Sequence, residues 1–138
     1  MKYQLTQTIY SLDNYIEHSG GEYGNKRWKD SAIIKYLNDH SAQGSEYTYY
    51  SNVPEAVYIF TNIKTKWSPP KTYYNSPRRI TSSTSMNSIL RGDNKSYLIW
   101  FNTIDRKYLF TVEELKYYTS MIKIAQLPDG EIYSIAKK

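Results

Sequence analysis

Residues Glu46 to Thr61, EYTYYSNVPEAVYIFT, constrain the fold more than any other stretch of the chain. Tyr47, Thr48, Tyr49 and Tyr50 favour a strand, because β-branched and aromatic side chains suit a pleated, half-buried surface. Asn52-Val53-Pro54-Glu55 has the spacing of a capping box, with Asn52 placed to accept from the Glu55 N–H and Glu55 placed to reach back. Pro54 fits a first turn, where backbone N–H groups have no intrahelical acceptor. The helix predicted from Val53 to Thr61 carries Ala56, Val57, Tyr58, Ile59 and Phe60 and is apolar nearly all round. Such a helix is sandwiched between other elements and not laid on a surface.

The remaining segments extend this strand-turn-helix unit into an alternating pattern. Leu5, Ile9, Leu12 and Ile16 form one helical stripe that Ser19-Gly20-Gly21 ends. Residues 1–20 either lead into the domain or pack on it. A second helix is expected from about Lys29 to Asn38, with Ile33, Ile34 and Leu37 on its apolar face, closed by the polar run from His40 to Gly44. Lys64 to Ser68 reads as a short strand stopped by Pro69-Pro70, Lys71 to Ser85 as a long polar loop, and Ser85 to Leu90 as a short helix. Tyr97-Leu98-Ile99-Trp100-Phe101 is the strongest strand signal, and its unbroken apolarity predicts burial on both faces, as in the centre of a parallel sheet. Thr111-Val112-Glu113-Glu114 is a second capping box, opening a helix to about Thr119. Met121 to Gln126 and Glu131 to Ala136 form a hairpin around Leu127-Pro128-Asp129-Gly130. Strands alternating with helices predict a three-layer α/β sandwich, its mixed sheet parallel in the centre and closed by a C-terminal antiparallel hairpin.

A chain of 138 residues makes one domain that buries about two-thirds of the surface its unfolded form exposes. No internal repeat or boundary divides it. No apolar run approaches the roughly 20 residues that span a bilayer, and the first residues lack the apolar core of a signal peptide. The absence of cysteine excludes disulfides, thiolate metal sites and Cys nucleophiles.

Few of the remaining residues suggest chemistry. His18 and His40, the two histidines, have no carboxylate pair near them at ligand spacing, so neither metal nor cofactor is expected. Glu113-Glu114 sits where negative charge suits a helix dipole. Asp105-Arg106 and Asp93 read as loop charges. No GxSxG is present, and Gly20, Gly21 and Gly24 do not form a P-loop or a dinucleotide fingerprint. Ligands in open α/β sheets lie beyond the carboxyl ends of the strands. The turn Ser51-Asn52-Val53 is therefore the best-placed generic anion site, and Glu55, within the same junction, is a further ligand-binding candidate. A net charge of +5, and Lys64, Lys66, Trp67, Lys71, Tyr73, Tyr74, Arg78 and Arg79 within one segment, add a second candidate. Interleaved cations and aromatics stack bases and neutralise phosphates, so this segment reads as a surface for nucleic acid or another anion; the same residues suit a membrane-facing or glycan-contacting loop, or a plain solvated loop with Trp67 partly buried. Trp67, Arg78 and Arg79 are its leading contacts.

Three ordered stretches give the chain a family resemblance. Gly24 to Ser31, GNKRWKDS, leads into a helix through Trp28 and Ser31. Tyr50 to Tyr58, YSNVPEAVY, is a Tyr-Ser-Asn turn with a proline and an acid behind it. Tyr97 to Phe101 is followed by the capped helix at Thr111 and by Asp129-Gly130-Glu131-Ile132-Tyr133. In order and spacing this set resembles the soluble C-terminal domain of bacterial, notably cyanobacterial, polytopic membrane glycosyltransferases similar to the dolichyl-phosphate-mannose mannosyltransferase family. The resemblance covers roughly residues 21–135. It implies an extracytoplasmic, periplasmic domain that follows the last membrane helix of a longer protein. Such a domain partners the membrane portion and assists in binding the acceptor or the lipid-linked sugar. The catalytic acids of these enzymes lie in loops of the membrane portion, so the resemblance implies no catalytic residue here.

Overall fold

The computed structural model describes residues 26–40, 46–72, 86 and 95–137. The N-terminal stripe from Leu5 to Ile16, His18, the glycines at 20, 21 and 24, Tyr73, Tyr74, Arg78, Arg79 and Asp93 lie outside them, as do most of the long loop and of the short helix expected at 85–90. The described elements are α1 (Lys26–Lys29), α2 (Ala32–His40), β1 (Tyr47–Ser51), α3 (Pro54–Thr61), β2 (Thr65–Trp67), β3 (Lys95–Phe101), α4 (Val112–Tyr118), β4 (Thr119–Leu127) and β5 (Gly130–Lys137).

The strands form one mixed sheet in the order β2-β1-β3-β5-β4. β1 runs parallel to both β2 and β3, with Tyr49 opposite Thr65 on one side and Tyr97 on the other. β5 runs antiparallel to β3 and to β4, and the β4–β5 register slips between Lys123 and Ala125. The α/β sandwich with a parallel centre and an antiparallel C-terminal hairpin is therefore present.

Strand alternation divides the interior. Tyr49, Ile99, Phe101 and Ile132 point to one face and meet Ile33, Ile34 and Leu37 of α2 and Ala56 and Val57 of α3. Tyr50, Leu98, Tyr133 and Ile135 point to the other and meet Met86, Val112 and Leu115. Ile99 and Leu98 are fully buried on opposite faces, as the unbroken apolar run of β3 predicts. Each such side chain contributes about 1.5–3 kcal/mol by leaving water.

The ends of the helices depart from the expected boundaries for physical reasons. The helix expected from Lys29 is interrupted: α1 stops at Lys29, and the Ser31 side chain accepts from the Ile34 N–H to start α2 (3.2 Å). α3 ends on Asn62, whose left-handed backbone (φ 59°) returns its N–H to the Tyr58 carbonyl, a conformation asparagine tolerates. Gly130 opens β5 where no side chain fits: a Cβ there would lie 1.9 Å from the Trp100 carbonyl oxygen and 2.6 Å from Ile33 Cδ1.

Candidate functional site

The helices that follow β1 and β3 leave the sheet on opposite faces, α3 with the first cluster and α4 with the second. The carboxyl ends of these two strands thus form the crevice where an open α/β sheet places its ligands. The crevice is closed at its base by Asn52. Its amide oxygen accepts from the Phe101 N–H (2.9 Å), and its amide nitrogen donates to the carbonyls of Phe101 (2.9 Å) and Ile104 (3.2 Å). The side chain acts as an extra peptide group that continues the β1–β3 ladder past the end of β1. The expected Asn52 cap is therefore corrected: Val53 occupies the N-cap position of α3, with no side-chain cap. Ser51 is equally internal, its Oγ accepting from the Val53 N–H (3.0 Å) and its carbonyl accepting from the Ser68 N–H (2.8 Å). Ser51 and Asn52 have no exposed surface. They build the floor of the crevice and do not reach a ligand.

Glu55 does not turn back to a cap either. Its Oε1 accepts from Arg106 Nη2 at 2.9 Å, an ion pair with both side chains about one-fifth exposed. The guanidinium carbon lies 4.8 Å from the centre of the Trp67 ring, and Nη1 donates to the Tyr108 hydroxyl (3.2 Å). The Trp67 and Tyr108 rings are 6.2 Å apart and tilted by 55°. Trp67 is 44% exposed and Tyr108 55%, so the cluster shows two aromatic surfaces with a charged fork between them. A short bridge fixes the segment that carries Arg106 and Tyr108: the Phe110 N–H donates to the Pro69 carbonyl and the Lys71 N–H to that of Tyr108. The half-exposed Lys71 ammonium faces Glu114 at 3.8 Å.

Glu55 and Trp67, named from sequence, are thus brought together, but through Arg106, which sequence reasoning assigned to a loop. The signal was weak because its partner lies 51 residues earlier. Arg78 and Arg79 fall outside the described residues. Among the described residues, no group of three or more His, Asp or Glu could hold a metal ion, and no helix is long and apolar enough to cross a membrane.

On the other flank of β3, a cleft of about 210 Å³ is lined by Trp28, Asp30, Ser31, Thr103 and Asp129. Of its two carboxylates that of Asp129 is engaged: Asp129 accepts from the Ser31 hydroxyl and from the Ile33 N–H (3.2 Å) and so caps α2 from the β4–β5 turn. Trp28 packs edge-on against Phe101 at 5.2 Å. The stretches around Trp28, Asn52, Phe101 and Asp129 therefore meet at one end of the sheet. No protein family, curated protein or solved structure matches the chain.

Proposed function

We propose that this chain is a non-catalytic recognition domain of a membrane glycosyltransferase, held on the periplasmic side beside the membrane portion of that enzyme. Its role in this reading is to bind the sugar phosphate of a lipid-linked donor or the acceptor. The observation that supports it best is the Trp67–Arg106–Tyr108 cluster at the crevice of the sheet. Exposed aromatic faces stack on the apolar face of a pyranose ring, and Arg106 beside them supplies charge for a phosphate. The ordered sequence stretches that resemble such domains, converging on the same end of the sheet, point the same way.

The test is a titration of the chain with water-soluble pyranosyl 1-phosphates, followed by tryptophan fluorescence and by NMR of the indole N–H groups. Saturable perturbation of Trp67, abolished in Trp67→Ala and weakened in Arg106→Met, is the expected result. A second reading rests on the exposure of Trp67 next to Lys66: a surface for single-stranded nucleic acid. Binding of an oligonucleotide that weakens steeply with salt, with no response to pyranosyl phosphate, would replace the first reading by the second.

A further inference from the structure

At the opposite, amino-terminal end of the parallel strands lies a separate cleft of about 210 Å³ between α2 and the sheet. One wall is the Tyr36–His40 pair of α2, with ring centres 4.4 Å apart and planes within 21°. The other is a row of sheet tyrosines, Tyr47, Tyr97 and Tyr49, spaced 6.2 and 5.5 Å apart with planes within 26°. Ile124 of β4 and Ile132 of β5 add aliphatic surface.

We infer that this aromatic slot binds a single neutral pyranose ring, a saccharide subsite distinct from the crevice at the other end of the sheet. Among the described residues, the lining contains no Lys, Arg, Asp or Glu. A charged ligand would therefore lose its hydration with no countercharge in return, which disfavours a nucleotide and its phosphate. Quaternary ammonium ions are held by aromatic rings, but by rings that surround the cation, whereas within each wall here the rings lie nearly parallel to one another. The volume is below the about 300–1,000 Å³ of sites for drug-sized ligands, so one sugar unit fills it. Tyrosine supplies an apolar body and a hydroxyl tip, matching the C–H faces and hydroxyls of a sugar. His40 has a defined polarity as well. Its Nδ1 lies 3.1 Å from the Tyr36 carbonyl, which only accepts. Nδ1 therefore carries the hydrogen, and in the neutral ring Nε2 offers a lone pair to a sugar hydroxyl.

Aromatic and imidazole resonances of the full chain are to be followed by NMR during titration with methyl pyranosides of gluco, manno and galacto configuration, with adenosine and tetramethylammonium as competing probes. Saturable shifts of Tyr47, Tyr97 and His40 with at least one pyranoside are expected. Loss of one hydrogen bond in His40→Ala or Tyr97→Phe should weaken binding about threefold to tenfold; both changes spare the packed core. The inference is overturned if no pyranoside saturates these signals, if adenosine or tetramethylammonium does so instead, or if both variants bind like the unaltered chain. Because the pyranosides are neutral and are read at Tyr47 and His40, this result is independent of the pyranosyl phosphate response at Trp67.

Discussion

Two junctions where the chain enters a helix, Ser51 to Glu55 and Thr111 to Glu114, carry the same written pattern and do different work. At the second, Thr111 Oγ1 accepts from the Glu114 N–H at 3.2 Å, an ordinary exposed cap. The reciprocal half of the box is given up there: the Glu114 carboxylate lies 3.8 Å from Lys71. At the first, Asn52 turns away from the helix and bonds the backbone of β3, and Glu55 turns to Arg106. The difference follows from surroundings. An exposed cap competes only with water. A buried asparagine beside a strand end meets peptide groups that would otherwise be left without partners, and satisfying those is worth more than one helix N–H. Capping-box spacing thus identifies a junction, and burial decides which groups the polar side chains serve.

The comparison breaks most sharply at Asn52. Asn52→Ala leaves the Phe101 N–H buried without its partner, and the Phe101 carbonyl with only the more distant Ile104 N–H (3.5 Å); it is expected to lower stability by about 1–3 kcal/mol in urea unfolding. A loss below about 1 kcal/mol would make Asn52 an ordinary cap after all. Next is the Glu55–Arg106 pair. A double-mutant cycle with Glu55→Gln and Arg106→Met should return a coupling of about 1 kcal/mol, at the top of the exposed-pair range because both groups are largely covered, yet discounted for the solvent that still reaches them. Coupling near zero would return Glu55 to a local helix role. Thr111→Ala should lose about 1 kcal/mol and Thr111→Asp almost nothing, the response of a plain cap; an equal loss in both would deny the hydroxyl that role.

The smallest expected effect lies away from both junctions, in the hairpin. The Tyr133 hydroxyl donating to Glu131, and then Lys123 beside it, hold the Glu131 carboxyl below its ordinary 4.5. Burial, and next the carboxylate it faces, raise the Tyr133 hydroxyl. A carboxyl whose pKa is lowered by folding stabilises the native state above the ordinary value and ceases to do so as pH falls through the lowered one. Stability measured by chemical denaturation between pH 7 and pH 2.5 should therefore decline less steeply in Glu131→Gln. Identical acid limbs would assign the decline to other carboxyls.

The contrast between the junctions also shows what sequence carries. Capping and turn residues placed α3 and the hairpin, and the unbroken apolarity of β3 announced burial on both faces, because a strand buried on both faces leaves no polar alternate. The cap at Thr111 was legible because all its atoms lie within four residues. Asn52, Arg106 and Asp129 were not legible. Their partners lie 49, 51 and 96 to 98 residues away, and only the sheet brings them together. The candidate site suffered most: Glu55 and Trp67 stood out by type, while the arginine that joins them looked like one loop charge among several. The aromatic slot went unseen because tyrosines at Tyr47, Tyr49 and Tyr97 read first as strand formers.

The bond from Asp129 to the start of α2 has a consequence for the order in which the molecule assembles. During synthesis the N-terminal part of a chain emerges first and begins to fold before the rest exists. α2 emerges early, yet the carboxylate that accepts from its Ile33 N–H is supplied by the β4–β5 turn, 96 residues later. Until that turn has been made, the nascent helix has Ser31 alone to hold its first turn. Commitment is deferred to the hairpin, and closing so long a loop is slow. Pulse-labelled nascent chains halted before residue 129 should remain protease-sensitive across residues 26–40, with protection arriving in one step once the hairpin is free to dock.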